Sequence, residues 1–241
     1  APETPARNVY PRGATRAVLD AYLAQHPQRR AELLHLRSVV QDATADNVRR
    51  ALATLDAHPA LDLLHPGLRE RLARAETYMA VPYSVAYADD ILFVYERLYA
   101  AAEQIEHEVE AFARYPRLRA RDLLADDYDG GDAAWVRSRF TGNLNAQIGS
   151  YETYDDTLYG VKTFFGLSLL ERDIAASAEL AASVRGIQDI ENALPYRAPK
   201  TVSSDIPVGV YNVLADFGQT RGTNTATILP NESHLSRQFG R

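Results

Sequence analysis

Gly149-Ser150-Tyr151-Glu152-Thr153-Tyr154-Asp155-Asp156-Thr157-Leu158-Tyr159-Gly160-Val161-Lys162-Thr163-Phe164-Phe165 divides the chain. Amphipathic helical patterns run up to it. After it the pattern predicts one long helix, then a β-prone tail. Three tyrosines, one glutamate and two aspartates fall within the eleven positions from Tyr151 to Val161. Carboxylates hold cations or ammonium groups and phenols donate to developing oxyanions, so the stretch is a candidate site. A plainer reading makes it a helix start, with Asp155 and Asp156 as caps and the tyrosines half buried.

The chain has 241 residues, 46% of them apolar and none of them cysteine, with a net charge of −6. That length supports one large domain or two small ones. Without cysteine there are no disulfides, thiolate zinc sites or cysteine nucleophiles. The acidic balance argues against a nucleic-acid partner. No apolar run reaches the length of about 18 residues that a membrane-spanning helix needs. The first residue is Ala1 rather than methionine, which favours a processed periplasmic or secreted protein over a cytoplasmic one. Lys162 and Lys200 are the only lysines, so a lysine inside the central stretch stands out.

Proline punctuation and three-to-four spacing predict four short helices from Thr15 onward, the first ended at His26-Pro27, the third ended at His58-Pro59 and the fourth started by Pro66-Gly67. The second of these runs from Pro27 through Val40. Tyr78 to Tyr87 reads as a buried connection. A long helix is predicted from Ile91 to Arg114, stopped at Tyr115-Pro116, and Asp132 is placed as N-cap of the helix carrying Trp135. Asn143 to Gly149 alternates and reads as a strand. The helix after the central stretch is predicted over Leu158 to Asn192, despite Gly166 and Gly186. Val208 to Val213 and Ala226 to Leu229 are β-prone. The expected architecture is mainly α: a multi-helix lobe over residues 1–142, then a segment over 143–241 with a strand, the long helix and a small β-containing part near the C-terminus.

No metal site is legible. A helical zinc pair needs a second histidine one turn on, but His107-Glu108 is followed by Glu110, Ala111, Phe112 and Ala113. His26, His58 and His65 adjoin prolines and read as surface helix ends. Neither a G-x-S-x-G elbow nor a phosphate-binding glycine loop is present. What is left is Glu152 with Tyr154. If residues 147–154 are extended, alternation puts both on one face, about 6–7 Å apart. A carboxylate for an ammonium and a phenol for a carbonyl oxygen would suit a peptide-like ligand.

These residues resemble the dipeptidyl-peptidase III-like zinc peptidases. The likeness is carried by Ile148 to Asp156, by Tyr159 to Phe165, by Leu123-Leu124-Ala125-Asp126-Asp127-Tyr128 with Trp135, and by Gly222-Thr223-Asn224 leading to Leu229-Pro230-Asn231. It covers about residues 120–241. It implies one half of a two-lobed cleft enzyme that cleaves peptides from their amino end, with zinc held by a histidine–glutamate motif. It also implies roles: Glu152 binds the substrate's free amino group, Tyr154 is catalytic as oxyanion donor, and Asn224 and Asn231 contact the peptide. Two departures stand out. Ile228 occupies the place of a second asparagine, and the zinc motif is missing. The expected cofactor is therefore zinc on a downstream segment or a second polypeptide. The alternative is a non-catalytic peptide-binding or structural helical module.

Overall fold

The computed structural model describes residues 8–138, 142–195, 197–198, 200–202, 208–219 and 237–238. Helices dominate the first half. The Thr15 hydroxyl caps α1 (Arg16–Gln25), which buries Leu19 and Leu23, and Pro27–Arg29 forms a single 3₁₀ turn into the short α2 (Arg30–Leu33). The helix predicted through Val40 stops there. Residues Ser38–Asp42 form strand β1, because the paired β-branched Val39 and Val40 favour an extended backbone. Helices α3 (Ala45–Ala57) and α5 (Leu68–Ala73) follow as expected, with the short α4 (Pro59–Leu64) between them, which the sequence reading did not place. The buried connection resolves into β2 (Tyr78–Pro82) and α6 (Tyr83–Ala86). β1 and β2 pair antiparallel, with Val40 opposite Ala80.

The single helix predicted over Ile91–Arg114 is two helices, α7 (Ala88–Ile105) and α8 (Glu110–Ala125). No residue between Ala102 and Ala113 is buried, so nothing holds that stretch in one rod. Arg117 instead reaches back to Glu106 with two hydrogen bonds of 2.6 and 2.5 Å across the hairpin. Pro116 sits inside α8 rather than ending it, buried beside Tyr115. α9 spans Asp129–Ser138.

A three-stranded antiparallel sheet follows, in the order β3 (Leu144–Glu152), β4 (Phe164–Asp173), β5 (Val210–Gly218). β3 and β5 were legible, and the helix predicted over Leu158–Asn192 was not correct. Its first part is β4, and helix begins only at α10 (Ile174–Ser183), capped by Asp173, and α11 (Ile187–Ala193). A central strand is apolar on both faces, so Phe164 to Leu170 reads like a buried helix segment by pattern. Gly149, Gly166 and Gly218 lie in one row across the sheet. A Cβ on Gly149 would come within 2.6 Å of the Tyr128 ring, so the glycine is what lets that ring lie against β3. The predicted β-prone run at Ala226–Leu229 lies outside the described residues.

Among the described residues, three apolar clusters form the core. One joins α3 to α8 through Leu55, Leu61, Leu72, Met79 and Leu123. Another gathers Leu19, Leu33, Val40 and Tyr83 around β1. The last lies under the sheet around Tyr115, Trp135, Ala146 and Ile148. Several bonds cross from residues 1–142 to residues 143–241, among them Tyr83 Oη to the Thr163 carbonyl at 2.9 Å and the Thr163 N–H to the Leu36 carbonyl at 3.0 Å.

Between these clusters lies a buried polar chain. The Arg37 guanidinium stacks 3.5 Å from the Tyr128 ring centre and donates to the carbonyls of Ser150 and Asp126, each at 3.4 Å. The Asp126 carboxylate accepts from the Ser84 N–H at 3.0 Å and from its hydroxyl at 2.8 Å, and His65 Nε2 lies 2.7 Å from that hydroxyl. His65 thus turns inward rather than marking a surface helix end. Burial pushes the Asp126 carboxyl up to about 7, against the pull of Ser84 and Arg37. This value lies above the ordinary one of about 3.9. Between those values the folded chain holds a proton that the unfolded chain has lost, so this site's contribution falls as pH rises. Relative to an Asp126→Asn chain, the wild type should lose stability from about pH 4 to about pH 7, at up to about 1.4 kcal/mol per unit, and level off above. Urea unfolding of both chains across that range measures it.

Candidate functional site

The site is built at the end of β3. Ser150 pairs with Phe165 and Glu152 with Phe164, so a bulge leaves Tyr151 as the extra residue. The Tyr151 side chain fills a box made by α8 and α9. Its hydroxyl donates to Asp132, and Arg119 donates to the same carboxylate. Asp132 was expected to cap a helix; α9 begins three residues earlier and turns its carboxylate inward. The Arg119 guanidinium lies 4.3 Å from the Tyr128 ring centre and 5.5 Å from those of Tyr115 and Tyr151. Burial first, then Tyr115 and Asp132, holds the Tyr151 phenol well above its ordinary value, so it stays a protonated donor.

The other phenols of the box grip the strand. The Ile148 N–H donates to the Tyr115 oxygen at 2.9 Å and the Ser150 N–H to the Tyr128 oxygen at 3.2 Å. Trp135 Nε1 donates to Asn145 Oδ1 at 2.7 Å. β3 is therefore fixed from its start to Tyr151, one residue before Glu152. Sequence reasoning missed Arg119, but a signal existed. It stands four residues from both Tyr115 and Leu123, on the buried stripe of α8, where a lone arginine demands acidic and aromatic partners.

Past Glu152 the chain leaves the sheet. Tyr154 lies in a turn closed by the Asp156 N–H on the Thr153 carbonyl at 3.0 Å. The extended geometry predicted through residue 154 ends at Glu152, so strand alternation does not set the relation between the two side chains. Tyr154 is 80% exposed and Glu152 is half-buried. Neither side chain forms a hydrogen bond or ion pair with another described residue. Asn224 and Asn231, with Ile228, lie outside the described residues.

The turn is organised by Asp156. Oδ1 accepts from the N–H groups of Leu158 and Tyr159, both at 3.1 Å. Oδ2 accepts from those of Val161 and Lys162 at 2.8 Å, and from the Tyr10 hydroxyl at 2.9 Å. Burial alone would raise this carboxyl, but the backbone N–H groups and the phenol outweigh it and hold it below the ordinary value. Asp155 accepts from Gln219 Nε2 at 2.6 Å, tying the turn to the end of β5. Neither aspartate caps a helix.

Lys162 is a fastening, not a reagent. It is fully buried, and its ammonium donates to the carbonyls of Leu33 and His35 at 2.7 and 2.8 Å and to Ser38 Oγ at 2.9 Å. Burial pushes it down to about 7, with Asp156 pulling the other way.

Among the described residues no group of three or more histidines and carboxylates could hold a metal ion. The described residues do not fit a zinc site. Among them, too, no helix is long and apolar enough to cross a membrane.

No family model matches the chain. Nudix hydrolase 3 of Arabidopsis thaliana is 27% identical over 195 residues, which is 80% of this chain and 24% of that protein. The solved structure of dipeptidyl-peptidase III from Caldithrix abyssi matches all of this chain, with a TM-score of 0.75 and 24% identity. The chain has the dipeptidyl-peptidase III-like fold. Dipeptidyl-peptidase III from Corallococcus sp. strain EGB matches likewise, with a TM-score of 0.70 and 25% identity. The chain spans 40% of the length of each of those two structures.

The turn depends on Lys162, and its removal is measurable. A Lys162→Met chain leaves the Leu33 carbonyl without that donor and the His35 carbonyl with only the Ser38 hydroxyl, at 3.1 Å. Unfolding free energy should fall by roughly 1–3 kcal/mol, seen as a lower urea midpoint at unchanged m-value.

Proposed function

We propose that this chain is the substrate-holding part of a zinc-dependent peptidase of the dipeptidyl-peptidase III kind. The observation that carries the reading is the match of the whole chain to the Caldithrix abyssi structure at a TM-score of 0.75. With it goes the presentation of Glu152 and the exposed Tyr154 just beyond a rigidly anchored strand. In this reading the Glu152 carboxylate accepts from the free ammonium group of a peptide. The Tyr154 hydroxyl donates to the carbonyl oxygen as negative charge develops on it. A preorganised donor of this type acts more strongly on the transition state than on the bound substrate. Asn224 and Asn231 complete the grip on the peptide backbone.

Zinc belongs to the polypeptide that corresponds to the remainder of the dipeptidyl-peptidase III structures, whether it continues this chain or is separate. The described residues supply recognition and an oxyanion donor, and the site is whole only in that assembly.

The test is kinetic. In the assembly, Tyr154→Phe should lower kcat by about 100-fold or more while KM moves little, since it removes a donor used mainly in the transition state. An unchanged kcat removes Tyr154 from the chemistry. Peptide binding by the zinc-loaded assembly without hydrolysis would assign the chain to peptide recognition alone.

A further inference from the structure

Tyr154 stands on an exposed bend, and a donor that acts on a transition state must be in place before the reaction starts. Ahead of the bend the chain is anchored where Glu152 pairs with Phe164 and the Tyr151 hydroxyl meets Asp132. Beyond it the Asp156 carboxylate holds the backbone from Leu158 to Lys162. Residues 153–155 between those anchors have two local backbone bonds. The Asp156 N–H donates to the Thr153 carbonyl and the Thr157 N–H to the Asp155 carbonyl, both at 3.0 Å. Among the described residues, one hydrogen bond ties 153–155 to the sheet: Gln219 Nε2 donates to Asp155 Oδ2 at 2.6 Å.

Gln219 is itself fixed to β4. Its N–H donates to the Phe165 carbonyl at 2.9 Å. That approach requires Gly218, whose φ is +70° and where a Cβ would stand 2.2 Å from the Phe165 carbonyl oxygen. Phe165 is one residue along β4 from Phe164, the partner of Glu152. Gln219 therefore spans from the strand that sets Glu152 to the residue that follows Tyr154. Its amide is only half used. Oε1 is buried and accepts no hydrogen bond among the described residues. A buried acceptor left unpaired lowers stability, so stability alone does not explain the amide. What the amide supplies is one donor, to the neighbour of Tyr154.

We infer that Gln219 and Asp155 are positioning residues for Tyr154, and that their hydrogen bond sets the separation of the Tyr154 phenol from the Glu152 carboxylate. The inference rests on the proposed peptidase reading, in which Glu152 takes the ammonium group of a peptide and Tyr154 takes a carbonyl oxygen. Those two groups of a peptide are a fixed number of bonds apart, so the two side chains serve one ligand only at a matching separation. Strand alternation does not set it, because the strand ends at Glu152. The clamp from the end of β5 does. It acts through Tyr154 and not on the substrate.

The experiment pairs steady-state kinetics of the zinc-loaded assembly with the ring NMR signal of Tyr154 in the full chain, assigned by its loss in Tyr154→Phe. Gln219→Met removes the donor at similar volume. It should lower kcat by about 10-fold with KM within about twofold, and shift or broaden the Tyr154 signal. Gln219→Glu sets carboxylate against carboxylate and should lower kcat further. Adding Asp155→Asn to Gln219→Glu exchanges donor and acceptor, and should return kcat to within about threefold of the wild type. In a Tyr154→Phe chain, Gln219→Met should lower kcat no further, since no phenol remains to be positioned. An equal loss in both backgrounds marks a merely structural anchor and overturns the inference. An unchanged kcat or an unmoved Tyr154 signal in Gln219→Met overturns it too. An assembly that cleaves no peptide, with a Tyr154 signal that moves in Gln219→Met and returns in the exchanged pair, keeps the clamp and removes the peptidase reading. Cleavage lost in Tyr154→Phe but indifferent to every Gln219 variant does the reverse.

Discussion

Five donors converge on the Asp156 carboxylate, and the turn that carries Tyr154 is held by them. Four are backbone N–H groups of the loop that leads into β4. The fifth is the Tyr10 hydroxyl, far off in sequence. A carboxylate this well supplied stays ionised and fixes the path of the loop by satisfying groups that helix or sheet would otherwise satisfy. Lys162, itself the loop's last donor, then pins it to the segment between α2 and β1. With those two residues in place, β4 enters the sheet in register and Tyr154 is left at the exposed bend.

The same logic operates on the other side of β3 with the opposite charge. Arg119 is a buried cation enclosed by three aromatic rings and paired to Asp132 and Asp122, the latter at 3.5 Å. Burial pushes the Asp122 carboxyl up to about 7 while Arg119 draws it down. Such clusters contribute little net stability compared with an apolar core, because desolvation offsets the attraction. Their value is in geometry: each partner has one place to be. Tyr151 is the bulged residue, and locking its hydroxyl sets where the strand stops and Glu152 begins.

How much of this was legible follows from the physics of each element. Helix starts and stops in the first half could be read, because Thr15, Thr44 and the prolines act locally. The strand before the central stretch showed its alternation. β4 did not, since a strand apolar on both faces loses the two-residue period that distinguishes it from a helix. The split between α7 and α8 was hidden too, because it follows from a long run with nothing to pack against. Within the candidate site, Glu152 and Tyr154 were put forward on residue type and resemblance. Arg119 and Asp132 were not, because their partners come together only in the fold. Asp156 was noticed but misread: a cap residue announces that it will bond backbone N–H groups, not whether those belong to a helix or a loop.

Lysine is so scarce that burying one of the two leaves a single amine-bearing side chain at the surface. Lys162 lies sealed in the core, whereas Lys200 is exposed. The backbone of Lys200 is tied to α11 by its N–H on Glu191 at 3.0 Å and by Gln188 on its carbonyl at 3.0 Å. Amine-directed reagents therefore meet one side-chain address on the native chain. A fluorophore or crosslinker placed there sits beside α11, without any engineered cysteine.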